Sequence, residues 1–182
     1  MTVTNLSRRH LLGGALALGG LSLLPRPAVA TLPERRLAFR NVHNNERVDA
    51  RYFVDGQYDW EGLAEINHGL RDWRTGDMVE MDRDLIDLLA TLRDRLDISP
   101  RRPFDLISGY RSPRTNAQLR EHGGGGVATR SQHLLGRATD VALPGVPLDR
   151  LKQAALSAQR GGVGYYPSDG FVHIDTGRVR SW

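Results

Sequence analysis

Ser131-Gln132-His133-Leu134-Leu135-Gly136-Arg137-Ala138-Thr139-Asp140 is the stretch from which the rest of this 182-residue chain is read. It is a loop that becomes a strand. Gly136 offers a backbone turn, and Arg137 to Leu143 alternates with the β-branched residues Thr139 and Val141, as a strand with one buried face does. Asp140 shares a side with Ala138 and Ala142, small neighbours that leave room around a carboxylate. A second strand answers it near the C-terminus, Phe171-Val172-His173-Ile174-Asp175. Period-two alternation puts Phe171, His173 and Asp175 on one face and Val172, Ile174 and Thr176 on the other. The apolar set is expected to face the core, so two ionisable groups stand opposite it beside an aromatic ring.

Working outward, Leu37 to Val42 and Arg47 to Val54 read as a hairpin around His43-Asn44-Asn45-Glu46. Trp60 to Trp73 carries Leu63, Ile66, Leu70 and Trp73 on one helical face, with Gly76 as its stop. Asp82 to Leu96 is the clearest helix, with a leucine stripe, acids early and arginines late. Phe104 to Ser108 is a short strand, and Pro113 opens a short helix to about Glu121. Four glycines at 123–126 lead into the central motif. Pro147 to Arg160 is a helix stopped by Gly161-Gly162, and Val163 to Tyr166 pairs with the final strand through a turn at 167–170. Helices and strands do not alternate regularly and no repeat appears. The expectation is a single α+β domain with helices packed on a small antiparallel sheet.

Composition narrows the function classes. The net charge of +4 comes largely from residues 1–30, which hold Arg8, Arg9 and Arg26 and no acid, leaving 22 basic against 21 acidic residues beyond them. A near-neutral body has no electrostatic footprint for nucleic acid. Arg8-Arg9 before the apolar run Leu11 to Leu24, followed by Ala28-Val29-Ala30, reads as a cleavable twin-arginine export signal over 1–30. The mature domain is then 31–182, in the periplasm, and no transmembrane span is expected once the signal is removed. The alternative to cleavage is an N-terminal anchor. A monomer is the default for a chain with no interface stripe.

There is no cysteine. Disulfides and thiolate zinc clusters are excluded, and any metal must be held by N and O ligands. His133, Asp140 and His173 are such a set, and two imidazoles with a carboxylate suit one zinc ion with a position left for water. His10, His43, His68 and His122 lack a comparable context. Ser131 reads as a loop-capping hydroxyl.

S-x-H-x-x-G-x-A-x-D followed by V-H-I-D resembles the zinc D-Ala-D-Ala carboxypeptidase and dipeptidase family, whose fold the hedgehog signalling domain shares. S-G-Y-R-S at 108–112, G-G-V-G-Y-Y-P at 161–167 and F-V-H-I-D-T-G at 171–177 bring it nearest to the murein endopeptidase K type within that group. The resemblance implies that His133, Asp140 and His173 are zinc ligands and that Arg111 contacts substrate or the oxyanion at the scissile carbonyl, as a fixed guanidinium does well. It implies a peptidoglycan substrate, cut at diaminopimelate-containing cross-links. Relatives often place the general base three residues before the last histidine, and that position here is Gly170. Asp175 is the first substitute and Asp169 the second, although Asp175 serves equally as a group that orients a ligand. Two other outcomes stay open: a carboxypeptidase or dipeptidase trimming D-Ala termini, and a non-catalytic zinc- or murein-binding module.

Overall fold

The structure, a computed structural model, describes residues 1–2, 33–122 and 127–182. The expected export signal, its cleavage site at 28–30 and the glycines at 123–126 lie outside the described residues. From residue 33 onward the order is β1 (Arg35–Asn41), β2 (Arg47–Val54), β3 (Gln57–Tyr58), α1 (Trp60–Gly69), α2 (Arg83–Arg95), β4 (Phe104–Ser108), α3 (Pro113–His122), a 3-10 turn (Gln132–Leu135), β5 (Ala138–Ala142), α4 (Leu148–Ala158), β6 (Gly162–Tyr166), β7 (Phe171–Asp175) and β8 (Arg180–Ser181).

The strands form one sheet in the order β3-β2-β1-β4-β5-β7-β6-β8. The α+β class holds, but the sheet is mixed rather than wholly antiparallel, because β1 with β4 and β6 with β8 pair in parallel. The β1–β4 pairing is reached through α1 and α2, a connection long enough to bring a strand back parallel. Neither short edge strand, β3 or β8, carries enough alternation to be read from sequence.

One face of the sheet is the core. Strict alternation in β2 turns Val48, Ala50 and Tyr52 inward, and Phe104, Leu106, Val141, Val172 and Ile174 continue the apolar layer. Helix α2 lays Leu85, Ile86, Leu88, Leu89 and Leu92 against it. Its boundaries follow its chemistry. The Asp82 carboxylate accepts from the Asp84 amide at 3.0 Å, Asp84 sits in the first turn, and Arg93 and Arg95 close the last. Among the described residues no helix is long and apolar enough to cross a membrane.

Helix α1 ends earlier than its periodicity predicts. Ile66 and Leu70 are fully buried as expected, but the helix stops at Gly69 and Trp73 leaves its face. Buried Asp72 is the reason. Its carboxylate accepts from the Ser112 amide at 2.9 Å, the Ser112 hydroxyl at 2.8 Å and the Arg74 amide at 3.1 Å, bonds a continuing helix would forfeit. The loop from 71 to 77 is thereby tied to the segment that carries Arg111.

Burial alone would raise the Asp72 pKa, but the hydrogen bonds from Thr115, Ser112 and Arg74 outweigh it and hold the carboxyl below its ordinary value. A depressed folded pKa contributes stability above the unfolded value and loses it as pH falls through the folded one. Asp72→Asn is therefore expected to cost about 1–3 kcal/mol at pH 7. The gap to the wild type should shrink below about pH 4, as the wild-type carboxyl takes up its proton. Thermal melts of both proteins across pH 3 to 7 check this; a gap that does not change with pH contradicts it.

Candidate metal centre

The site lies on the sheet face opposite the core, where β5 and β7 run antiparallel. Their register sets Asp140 opposite His173 and Ala138 opposite Asp175, while Thr139–Ile174 and Val141–Val172 pair on the core side. The alternation expected from sequence is thus realised on both strands. His133 arrives from the 3-10 turn. The Ser131 hydroxyl caps that turn by accepting from the His133 amide at 3.3 Å, and Gly136 ends it in the left-handed conformation at φ 66°. The ring folds back so that His133 Nε2 lies 3.2 Å from Asp140 Oδ1 and 3.2 Å from His173 Nδ1, with His173 Nδ1 2.8 Å from Asp140 Oδ1.

All three residues are buried, and their three atoms form a triangle with edges of 2.8–3.2 Å. A tetrahedral ion with bonds of about 2.0–2.1 Å has edges of about 3.3 Å, so the spacing fits zinc. Proton bookkeeping points the same way. His133 Nδ1–H donates to the Gly109 carbonyl at 2.6 Å, which leaves Nε2 as a lone pair aimed at the centre. The outer nitrogen of His173 donates to Asp175 Oδ2 at 2.9 Å, leaving Nδ1 aimed there as well. Three acceptors then converge on one buried point. One proton on His173 Nδ1 can serve one of these contacts, not all; a single cation serves all three.

The protonation preferences follow from surroundings. Burial lowers the His133 pKa, since a charged ring would be desolvated. Burial would lower His173 too, but its hydrogen bonds to Asp140 and Asp175 outweigh that and raise it. Asp140 is held well below the usual carboxylate range despite its burial, by both imidazoles and by Arg111.

Arg111 is placed by an irregularity that sequence did not signal. Between Leu106 and Ser108 the β4–β5 register shifts by one residue, so Leu106 keeps to the core while Ser108 comes opposite Asp140. The Ser108 hydroxyl accepts from Arg111 Nε at 2.8 Å, and Arg111 Nη2 pairs with Asp140 Oδ2. The guanidinium therefore abuts a candidate ligand directly. Its Nη1 takes no hydrogen bond among the described residues.

Asp175 was the first candidate for the general base, with the orienting of a ligand as its alternative role. It lies on the same face as His173, but one row behind and fully buried. Both its oxygens are saturated: Oδ2 by His173 and Arg180 at 2.9 and 2.7 Å, Oδ1 by Arg180 and the amides of Gly162 and Gly177 at 3.0, 3.1 and 2.8 Å. It does not line the cleft. Its bond to the outer nitrogen of His173 fixes that ring and its tautomer. These bonds hold Asp175 well below the usual carboxylate range in spite of burial.

An open cleft of about 400 Å³ leads down to the three residues. Asp169 and Asp140 are its only lining carboxylates among the described residues. Gly170 explains the missing acid next to Asp169. It closes the turn before β7 at φ 77°, where an L side chain is strained. One wall is aromatic. Tyr166 and Phe171 stack at 4.7 Å, and Trp182 donates from Nε1 to the Tyr166 hydroxyl at 2.7 Å while its ring lies 5.2 Å from that of His173. Gly164 makes this possible, because a Cβ there would stand 2.7 Å from the indole. Arg180 and Trp182 were missed from sequence, since Arg180 opens a strand only two residues long and Trp182 follows it. Of the histidines set aside, His68 pairs with Glu46, His122 bonds the Gln118 carbonyl, and His43 only edges the cleft. His10 lies outside the described residues.

Three comparisons bear on the site. The family model described as Peptidase_M15_2, Peptidoglycan L,D-endopeptidase MepK, matches residues 29–182. The Peptidoglycan L,D-endopeptidase MepK of Escherichia coli (strain K12) is 44% identical over 180 residues, covering 97% of each chain. The Probable peptidoglycan L,D-endopeptidase MepK of Haemophilus influenzae is 37% identical over 178 residues, covering 96% of this chain and 94% of its own.

The arrangement sets the three converging residues apart from the carboxylate behind them. His133→Ala should abolish stoichiometric zinc binding with the fold retained. Asp175→Asn should keep the site but weaken zinc about 10–100-fold, the usual effect of losing the partner of a ligating histidine. Competition against a chromophoric chelator, with circular dichroism on each variant, measures both. Unchanged affinity in Asp175→Asn would leave that residue with a packing role alone.

Proposed function

The chain belongs to the MepK family of peptidoglycan L,D-endopeptidases, and on that premise we propose that it is a zinc hydrolase acting on diaminopimelate-containing cross-links outside the cytoplasm. It is a peptidase of peptidoglycan, and the three convergent acceptors of His133, Asp140 and His173 are the single observation that carries the zinc reading. A zinc ion bound there supplies Lewis acidity, polarising a carbonyl and making a water acidic enough to be deprotonated near neutral pH.

The chain's own residues divide the remaining work. Asp175 holds the His173 ring through its outer nitrogen, so that the inner lone pair points at the ion. Gly109 does the same for His133 through a backbone carbonyl. Arg111 orients Asp140 through one amino group and leaves Nη1 open to the cleft, where it meets negative charge developing on a scissile carbonyl oxygen. The proton passes to Asp169. It is exposed at the cleft, whereas Asp140 is committed to its neighbours and Asp175 is saturated. A carboxylate so placed takes a proton from water and returns it to the leaving amine.

Export rests on Arg8-Arg9 ahead of the apolar run and on Ala28-x-Ala30, which support a twin-arginine signal and a periplasmic mature domain of residues 31–182. We take a monomer as the working unit, since the sequence carries no interface stripe.

Zinc-loaded protein incubated with cross-linked dimeric muropeptides should yield monomers whose masses together equal the dimer plus one water. An intact dimer with zinc bound would leave a binding module, and release of D-Ala alone would make the protein a carboxypeptidase. Asp169→Asn should lower kcat by about 100-fold or more with zinc content unchanged. Full turnover in that variant would return Asp169 to a turn-forming role.

A further inference from the structure

Across the cleft from the aromatic wall stands a layered stack that the zinc chemistry does not use. The His43 ring lies on Trp73 with centroids 4.3 Å apart and planes 19° from parallel, and the Arg74 guanidinium carbon sits 4.3 Å above the Trp73 ring. The stack is anchored at both ends. His43 is bonded through Nε2 to the Ile107 carbonyl at 3.0 Å and through its amide to Asn41 Oδ1 at 2.9 Å. The loop bearing Trp73 and Arg74 is held by Asp72 to Ser112, and the Tyr110 amide donates to the Leu70 carbonyl at 2.7 Å. Arg74 is thus fixed relative to the segment that carries Arg111.

What this positions is a cation without a counter-ion. Arg74 forms no ion pair or hydrogen bond through its guanidinium among the described residues, although Asp72 stands two residues before it. That carboxylate is spent on Ser112 and on the Arg74 backbone amide. Arg74 lines the cleft with Arg111; partial desolvation lowers its pKa, the nearby Asp72 charge opposes that shift and the Arg111 charge adds to it. Like charges directed into one cleft are unfavourable until an anion joins them. Arg180 is not available for that purpose, being paired with Asp175. Arg130 lines the cleft too, but on a loop with no such platform.

We propose that Arg74 is the carboxylate-reading residue of this cleft and pairs with the free carboxylate of the diaminopimelate residue beside the scissile bond. The inference rests on the peptidase reading above and names what that site selects. In a diaminopimelate cross-link the carbon bearing the scissile nitrogen also bears a free carboxyl, which the interior of an ordinary peptide lacks. A flat guanidinium fixed on an indole meets a carboxylate in two parallel hydrogen bonds with little ordering cost. Selection of the cross-link then comes from this pair.

The test is equilibrium binding to the metal-free protein, read by isothermal titration calorimetry. The probes are the stem tripeptide L-Ala–γ-D-Glu–meso-diaminopimelate and the same peptide amidated at the D-centre carboxyl of diaminopimelate. The wild type should bind the free acid about ten-fold tighter than the amide. Arg74→Gln should bind both within about two-fold of one another at an unchanged melting temperature, and Arg74→Lys should keep part of the preference. On free-acid dimers the zinc-loaded Arg74→Gln protein should show a raised KM with kcat within about two-fold. A wild type that does not discriminate, or an Arg74→Gln variant that discriminates as the wild type does, overturns the assignment. Failure of the zinc-loaded wild type to cut the dimer overturns the peptidase reading instead.

Discussion

Three lone pairs are driven onto one buried point by the pairing of Asp140 with His173 across β5 and β7. Strand register alone brings the second imidazole to the carboxylate, at 2.8 Å. Without a cation the arrangement is costly, since buried acceptors facing one another have surrendered water for nothing. Much of the surrounding structure makes sense as enforcement of that geometry. Gly109 and Asp175 take the outer protons of the two histidines, Arg111 takes the free oxygen of Asp140, and Arg180 with two backbone amides satisfies Asp175 in turn. Each partner removes one way for a ligand to turn aside.

The sheet divides labour between its faces. Val141, Val172 and Ile174 belong to the apolar layer under α2, so the strands that carry Asp140 and His173 are held by the core. This is why loss of a ligand should empty the site without unfolding the domain. Rigidity extends to the cleft walls, where Asp72 stitches the Trp73–Arg74 loop to the Arg111 segment and the Gly164 surface receives Trp182. A chain without disulfides thus holds its functional groups by buried hydrogen bonds and close backbone approach.

The strand faces were legible in the sequence because period-two alternation is a strong local signal. The face shared by His173 and Asp175, and the opposite face of Val172 and Ile174, follow from counting by two. Depth along a face does not. Asp175 shares the side of His173 and still lies a row behind it, because Ala138 opposite leaves a space that Arg180 and two amides close. That enclosure depends on partners far apart in sequence. The Ser108 bulge, the parallel return of β4 onto β1 and the two-residue β8 were illegible for the same reason, each being decided by a neighbouring strand. Trp73 left the predicted helical face because Asp72 gained more from Ser112 than from another helical turn.

The chemistry of the site depends on the converging atoms holding zinc as its ligands. The direct measurement is the zinc K-edge absorption spectrum of the stoichiometrically loaded protein, compared with His133→Ala treated identically. A four-coordinate shell of nitrogen and oxygen at about 2.0–2.1 Å, with the scattering pattern of two imidazoles, is predicted for the wild type and lost in the variant. A six-coordinate oxygen shell, or a two-imidazole spectrum unchanged in His133→Ala, would contradict it.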